Sequence, residues 1–291
     1  MNTTHLPPPA RTPWGAVIPD PGDDQAAGPD FSRASSARLT NYLLGGQSHL
    51  AADRKLGDAL LTAAPDRAAE QTAVACRAFM ATTTVHLASI GVRQFVDLGC
   101  GLPAPSWRKD TPELHQLVHE CAEDARVLYV DIDPTVMTHA RALLRGARPG
   151  TVGHLEADLT APAKVLTSPE LAGAIDLKAP VAVSLHDVLH LIPDHLAYPA
   201  VEAYKQALPS GSTLTISHQG GDSAQLMSAA YRSAEVRYHP RGRDEVARFF
   251  DGWELTGPGV APVSEWPSSL SPDRSQALRR AGAYAAIARK P

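Results

Sequence analysis

The sequence predicts a doubly wound α/β fold: a mostly parallel seven-stranded sheet with helices on both faces, preceded by a helical cap. Three observations carry the prediction. Over 92–291, short apolar runs rich in β-branched residues alternate with amphipathic stretches, the pattern of parallel strands joined by crossover helices. Over 31–91 the patterning is helical throughout, with no strand signal. At the junction, Asp97-Leu98-Gly99-Cys100-Gly101 directly follows the first apolar run, and glycines placed there let backbone turn tightly and approach a ligand.

The elements follow in order. Residues 1–30 carry Pro7-Pro8-Pro9, Pro13, Pro19, Pro21 and Pro29, bury little, and are expected to form a mobile arm. Ser32 or Ser35 caps a first helix that runs to Leu44 and stops at Gly45-Gly46. A second helix fits Leu50 to Leu61. A third fits Asp66 to Ile90, with Phe79, Thr83, Leu87 and Ile90 on one face and Gly91 as its stop. Strands are expected at Gln94–Leu98, Val127–Asp131, Val152–Ala157, Pro180–His186, Ser212–His218, Trp253–Thr256 and Ala283–Ala288. Among the crossovers, Asp133 caps a helix with Pro134 at its first position and Val136, Ala140, Leu143 and Leu144 along one stripe. Another begins near Asp194, read as its cap, and ends at Pro209-Ser210-Gly211.

Composition narrows the function classes. At 291 residues with 44% hydrophobic and 20% charged residues, the chain has ample material for a buried core. A net charge of −4 argues against a broad nucleic-acid surface, which needs a basic face. Three cysteines, Cys76, Cys100 and Cys121, share no metal-ligand spacing and form no disulfide framework, so a reducing cytoplasm is expected. There is no apolar signal core and no run of the ~18 apolar residues a spanning helix needs, so no membrane association is expected. The twelve histidines include no supported metal-binding pair, and no metal is predicted.

The chemistry concentrates at strand ends. Gly99-x-Gly101-x-x-Ala104 also satisfies the dinucleotide fingerprint, but Pro103 sits inside the turn. Asp97 just before the glycines would repel a pyrophosphate, whereas a cationic sulfonium carrying an α-amino group meets no such conflict. Asp131, ending the second strand, is placed to accept bonds from ribose hydroxyls; Asp133 two residues on is the helix cap. Asp158, after the third strand, can accept from an adenine amino group. Three carboxylates at three successive strand ends point to an adenosyl nucleoside with a positive charge.

These features resemble the class I S-adenosylmethionine (SAM) dependent methyltransferases. More specific strings add to the likeness: Arg38-x-x-Asn41-Tyr42-Leu43-Leu44-Gly45-Gly46, Gln94 to Pro103, His119-Glu120, Val188-Leu189-His190-x-x-Pro193-Asp194, Ser217-His218 and Glu245 to Gly252. Together with Pro258-Gly259-Val260 and Ser264-Glu265-Trp266 they are similar to an actinomycete-type SAM methyltransferase-like family first catalogued as a domain of unknown function, from about Phe31 to the end. The resemblance implies a Rossmann-like core under a helical cap. It implies a SAM site using Tyr42, Gly45 and Gly46 of the cap with Asp97, Gly99, Asp131 and Asp158 of the core; their neighbours Gly101, Ile132 and Leu159 are counted to the same site. The chain departs from the family pattern at Gln47-Ser48-His49, Ala104, Leu117 and His186-Asp187, all around the presumed cavity.

His186 and Asp187, ending the fourth strand, are the leading catalytic candidates, with His49 in the altered cap segment as the third. Adjacent residues on a strand face opposite ways, so His186 and Asp187 cooperate only if the strand has already ended. Trp107 and Trp266 are candidate pocket walls, and His218 is a further acid–base candidate. The expected activity is methyl transfer to a small-molecule acceptor, in specialised metabolism, by a monomer or homodimer. Two alternatives stay open: cleavage or cyclisation of SAM itself, releasing methylthioadenosine, and SAM binding without turnover.

Overall fold

The computed structural model describes residues 30–104, 112–146, 148–267 and 281–291. The arm expected over 1–30, Asp30 apart, lies outside them, as does Trp107. The chain opens with α1 (Ser36–Leu43), α2 (Ala51–Ala63) and α3 (Ala68–Ser89), then β1 (Gln94–Leu98). After these come α4 (Leu114–Cys121), β2 (Arg126–Asp131), α5 (Pro134–Leu143), β3 (Val152–Glu156), α6 (Pro162–Leu166), α7 (Pro169–Ala174) and β4 (Ala182–His186). The remainder is α8 (Asp194–Ala207), β5 (Thr213–Gln219), α9 (Asp222–Ser233), α10 (Arg243–Ala247), β6 (Glu254–Pro262) and β7 (Ala283–Arg289).

The seven strands form one sheet in the order β3-β2-β1-β4-β5-β7-β6. β1 to β5 pair in parallel; β7 pairs antiparallel with both β5 and β6. The order reverses at β1, which has β2 on one side and β4 on the other, and a crevice opens at such a switch point beyond the carboxyl ends of the strands.

Alternation along β1 explains the layering. Val96 and Leu98 pack on one face with Leu128, Val130, Leu185, Val201, Tyr204 and Phe249. Phe95 packs on the other with Met80, Leu87, Leu117, Val127, Tyr129 and Met137. Thus α3 lies across the sheet, while α1 and α2 pack through Leu39, Leu56 and Leu60 on Met227 and Tyr231 of α9.

Two expectations need correction. β6 does not stop at Thr256; it continues to Pro262 across a register shift between Thr256 and Ala261. Gly257 and Gly259 there adopt φ of 61° and 72°, which lets the strand bend and resume pairing. Asp194 does not cap α8. Pro193 holds the cap position, and the Asp194 carboxylate instead pairs with Arg241 Nη2 at 2.7 Å.

Candidate functional site

The turn after β1 is tied to β2 by the N–H groups of Gly99 and Cys100, which donate to the Val130 carbonyl at 2.8 and 3.1 Å. Gly99 and Gly101 have φ of 76° and 66°, in the left-handed region. A Cβ on Gly99 would lie 2.5 Å from Val188 Cγ2, so only glycine lets the turn pass that close. A Cβ on Gly101 would meet nothing within 4 Å: this residue borders open space. The Gly101 N–H donates to Asp131 Oδ2 at 2.9 Å, and the Asp133 N–H donates to Asp131 Oδ1 at 2.9 Å. Asp133 Oδ1 in turn accepts from the Thr135 N–H at 2.8 Å, the cap read from the sequence.

These groups open onto a cavity of about 510 Å³ between the cap and the sheet ends. It brings together Asp97, Gly99, Gly101, Asp131, Ile132, Asp158, Leu159, His186 and Asp187. Asp97 accepts from Ser184 Oγ at 3.0 Å, and Asp158 Oδ1 accepts from the Thr160 N–H and Oγ1, each at 2.7 Å. Burial pushes the Asp97 and Asp131 carboxyls up to about 6, opposed by the Ser184 bond at Asp97 and by the Asp133 and Gly101 amides at Asp131.

Asp187 resolves the strand-alternation problem. Its φ of 54° ends β4 in a left-handed turn, so both His186 and Asp187 border the same cavity. His186 Nε2 lies 3.2 Å from Thr215 Oγ1, and the ring meets Phe79 edge-on. Its Nδ1 is buried without a hydrogen-bond partner. Burial, and after it the Arg77 charge, lower His186 to about 3, so the imidazole is neutral at pH 7.

Four predicted residues do not border the cavity: Tyr42, Gly45, Gly46 and His49. Leu39 and Leu43 of α1, four apart, border it instead, and one step along a helix turns a side chain away by about 100°. The Tyr42 ring covers Gly57, and its hydroxyl donates to Asp58 at 2.5 Å. Gly46 backs onto the Asn41 amide, and His49 lies against Tyr42 with Nδ1 3.4 Å from Arg54. Two other residues are also engaged elsewhere. Trp266 is buried on Phe79, its indole N–H donating to the Ala285 carbonyl at 2.9 Å. His218 is fully buried beside Arg241 Nη1 at 2.7 Å.

Sequence reasoning missed Arg77, Gln219 and Tyr231, all of which border the cavity. Arg77 had a legible signal. It is the lone charge between Glu70 and Arg93 apart from His86, on a helix buried nearly all round. Its Nη2 pairs with Glu113 at 3.0 Å, while its Nε is buried with no partner. Among the described residues no His, Cys, Asp and Glu group is arranged to hold a metal ion, and no helix is long and apolar enough to cross a membrane.

Carboxylates rather than cations around the glycine turn, an open Gly101, and a strand order with one antiparallel member suit an adenosyl sulfonium. This fold and site define a class I, Rossmann-like, SAM-dependent methyltransferase. Residues 23–291 match the S-adenosyl methyltransferase family model, and the chain belongs to that family. It is similar to a DUF574-family protein from Streptomyces avermitilis, 33% identical with a TM-score of 0.83, over 90% of this chain and 99% of that one. It is also similar to a candidate methyltransferase from Thermobifida fusca, 31% identical with a TM-score of 0.79, over 90% and 96% of the two chains. No curated protein matches.

Two outcomes follow for the turn. Raised carboxyl pKa values mean that Asp97 and Asp131 are partly protonated at pH 6, while a cationic ligand favours the ionised form. SAM affinity by calorimetry should be level above pH 7 and fall below pH 6 by about tenfold per pH unit for each carboxylate that must ionise. An unchanged affinity from pH 7 to 5 contradicts this. Gly99→Ala combines a strained φ with the Val188 contact and should destabilise the fold by about 1–3 kcal/mol in urea unfolding.

Proposed function

We propose that this chain transfers the methyl group of SAM to a small molecule enclosed between the cap helices and the sheet ends. The observation that carries the reading is the cavity itself. Its walls come from α1, α3 and the ends of β1 to β5 together, and its size is in the range of small-ligand sites. Bound SAM supplies an electrophilic methyl group.

In this reading Asp131 holds the ribose hydroxyls, Asp97 the α-amino group and Asp158 Oδ2 the adenine amino group. Arg77, with its unpartnered Nε, holds the methionine carboxylate. The acceptor lies toward His186 and Asp187. His186, neutral at pH 7, is too weak a base to take a proton outright, but its bare Nδ1 can hold an N–H or O–H of the acceptor in line. Alignment and exclusion of water by the cap then supply most of the rate.

The test is incubation of the purified protein with SAM and a pool of small amines, phenols and carboxylic acids, read by mass spectrometry. S-adenosylhomocysteine (SAH) together with a methylated acceptor is expected. Methylthioadenosine released without any acceptor, or SAM consumed with no methylated product, would reject methyl transfer to a small molecule. With His49 outside the cavity, one of the two residues that motivated SAM cleavage no longer bears on the site.

A further inference from the structure

We propose that Asp187 and Gln219 form a subsite that anchors a protonated amino group of the acceptor, which makes the acceptor class a small organic amine. This recognition group is separate from the atom methylated, because an ammonium has no lone pair to attack the methyl. The proposal rests on the SAM reading above, because it concerns the part of the cavity left once Asp97, Asp131 and Asp158 are committed to the nucleoside.

Three arginines border the cavity, and each already faces a carboxylate. Arg33 meets Glu235 at 2.6 Å, Arg38 meets Asp53 at 2.7 Å, and Arg77 meets Glu113 at 3.0 Å. Asp187 has no such counterion. Its side chain is 12% exposed, and among the described residues no Lys or Arg lies within 4 Å of its carboxylate. His190 Nδ1 stands 3.5 Å from Asp187 Oδ1, and the Tyr231 and Tyr238 rings are close enough to feel its charge. Burial lowers His190, against the opposing pull of Asp187, so this ring is neutral at pH 7. A carboxylate withdrawn from water with no cation beside it is costly unless a ligand completes the pair.

The second observation is independent of charge. Gln219, at the end of β5, is only 7% exposed and borders the cavity. Its Nε2 donates to Asp187 Oδ1 at 2.9 Å, which fixes the amide so that Oε1 is the opposite end. That Oε1 is buried and has no hydrogen-bond partner. A buried acceptor left bare is rare, and the Tyr231 hydroxyl stands within hydrogen-bonding reach of the same amide. Acceptors at the ends of two neighbouring strands, one of them anionic, favour a donor with several hydrogens and a positive charge. An ammonium group has both; a hydroxyl has one hydrogen and no charge.

The backbone holds this arrangement against strain. Asp187 sits at φ 54°, a conformation that non-glycine residues adopt uncommonly and that Asp and Asn tolerate best. Its N–H is bonded to the Ser217 carbonyl at 2.9 Å and to Ser217 Oγ at 3.1 Å, which ties the turn to β5 beside Gln219. Leu39, Leu191, Val236 and the Tyr231 ring give the surrounding space an apolar wall, suited to the hydrocarbon part of an amine.

The test titrates SAH-saturated protein with phenethylamine, and separately with 2-phenylethanol and phenylacetate, near-isosteres that replace the ammonium by a hydroxyl or a carboxylate. The amine is expected to bind at least about tenfold more tightly than the alcohol, with phenylacetate weakest. Asp187→Asn, which keeps the tolerated backbone conformation, should bring amine and alcohol to within about twofold of each other. Gln219→Leu should weaken the amine severalfold through the lost acceptor, and serves if the first variant does not fold. Equal affinity of amine and alcohol for the unaltered protein, binding by neither, or a preference that survives Asp187→Asn would overturn the subsite while leaving SAH binding intact. Absence of SAH binding to the unaltered protein would instead remove the nucleoside reading, and this inference with it.

Discussion

Asp131→Ala is expected to weaken SAH binding, measured by calorimetry, by about a hundredfold or more. Both carboxylate oxygens are already aimed: Oδ2 by the Gly101 N–H and Oδ1 by the Asp133 N–H, each at 2.9 Å. The lone pairs that remain are therefore held in place, and in the proposed reading they take the ribose diol. Two hydrogen bonds to a charged group contribute roughly 3 kcal/mol together, which corresponds to about a hundredfold in affinity. The substitution also leaves the Gly101 amide without its acceptor, so the turn after β1 loosens. Asp133→Ala is the control. It removes the bond to the Thr135 N–H, so it should cost about 1 kcal/mol of stability as a lost cap and much less affinity. A loss below fivefold for Asp131→Ala would show that the ribose is held elsewhere.

Asp53→Ala should destabilise the protein by about 3–5 kcal/mol, read from urea unfolding monitored by circular dichroism. Asp53 is fully buried, and its carboxylate accepts three bonds: from the Ser35 N–H at 2.8 Å, the Leu50 N–H at 2.7 Å and Arg38 Nε at 2.7 Å. Ser35 starts α1 and Leu50 starts α2, so one side chain fixes the angle between the two helices. Arg38, 8% exposed, carries the connection onward by donating from Nη2 to the Arg33 carbonyl at 2.6 Å. Without the carboxylate, a buried guanidinium and two amides lose their acceptor at once. SAH affinity should fall as well, because α1 forms one wall of the cavity through Arg38, Leu39 and Leu43. Asp53→Asn keeps the shape and one acceptor oxygen and should lie between the two. A change under 1 kcal/mol for Asp53→Ala would mean that the cap is held by its apolar contacts alone.

The pairing of Arg38 with Asp53 illustrates where reading the chain stops. Arg38 was legible as part of a family string, and Asp53 was an unremarked acid inside an expected helix. Nothing in a linear pattern says that residues fifteen apart on two helices share a buried bond. Asp187 and Gln219 are thirty-two apart and meet only because β4 and β5 are neighbours in the sheet. Tyr42 shows the converse. Its string resembles the family, but the turn of α1 carries its ring to Gly57 and Asp58, outside the cavity that Leu39 and Leu43 border.

What the residues settle unaided is local and repetitive. β-Branched runs and glycine stops place the strands because each depends on conformational preferences within a few residues, and acids directly after strands fall at the crevice because parallel sheets put every carboxyl end on one side. β1 at Gln94–Leu98 and the cap at Asp133 needed no partner to be found. Tertiary structure alone decided which faces of α1 and α3 turn inward, which buried charges are paired, and which polar atoms are left bare. Those outcomes depend on through-space contacts and on the low polarity of the interior, where a missing partner matters far more than it does along an exposed chain.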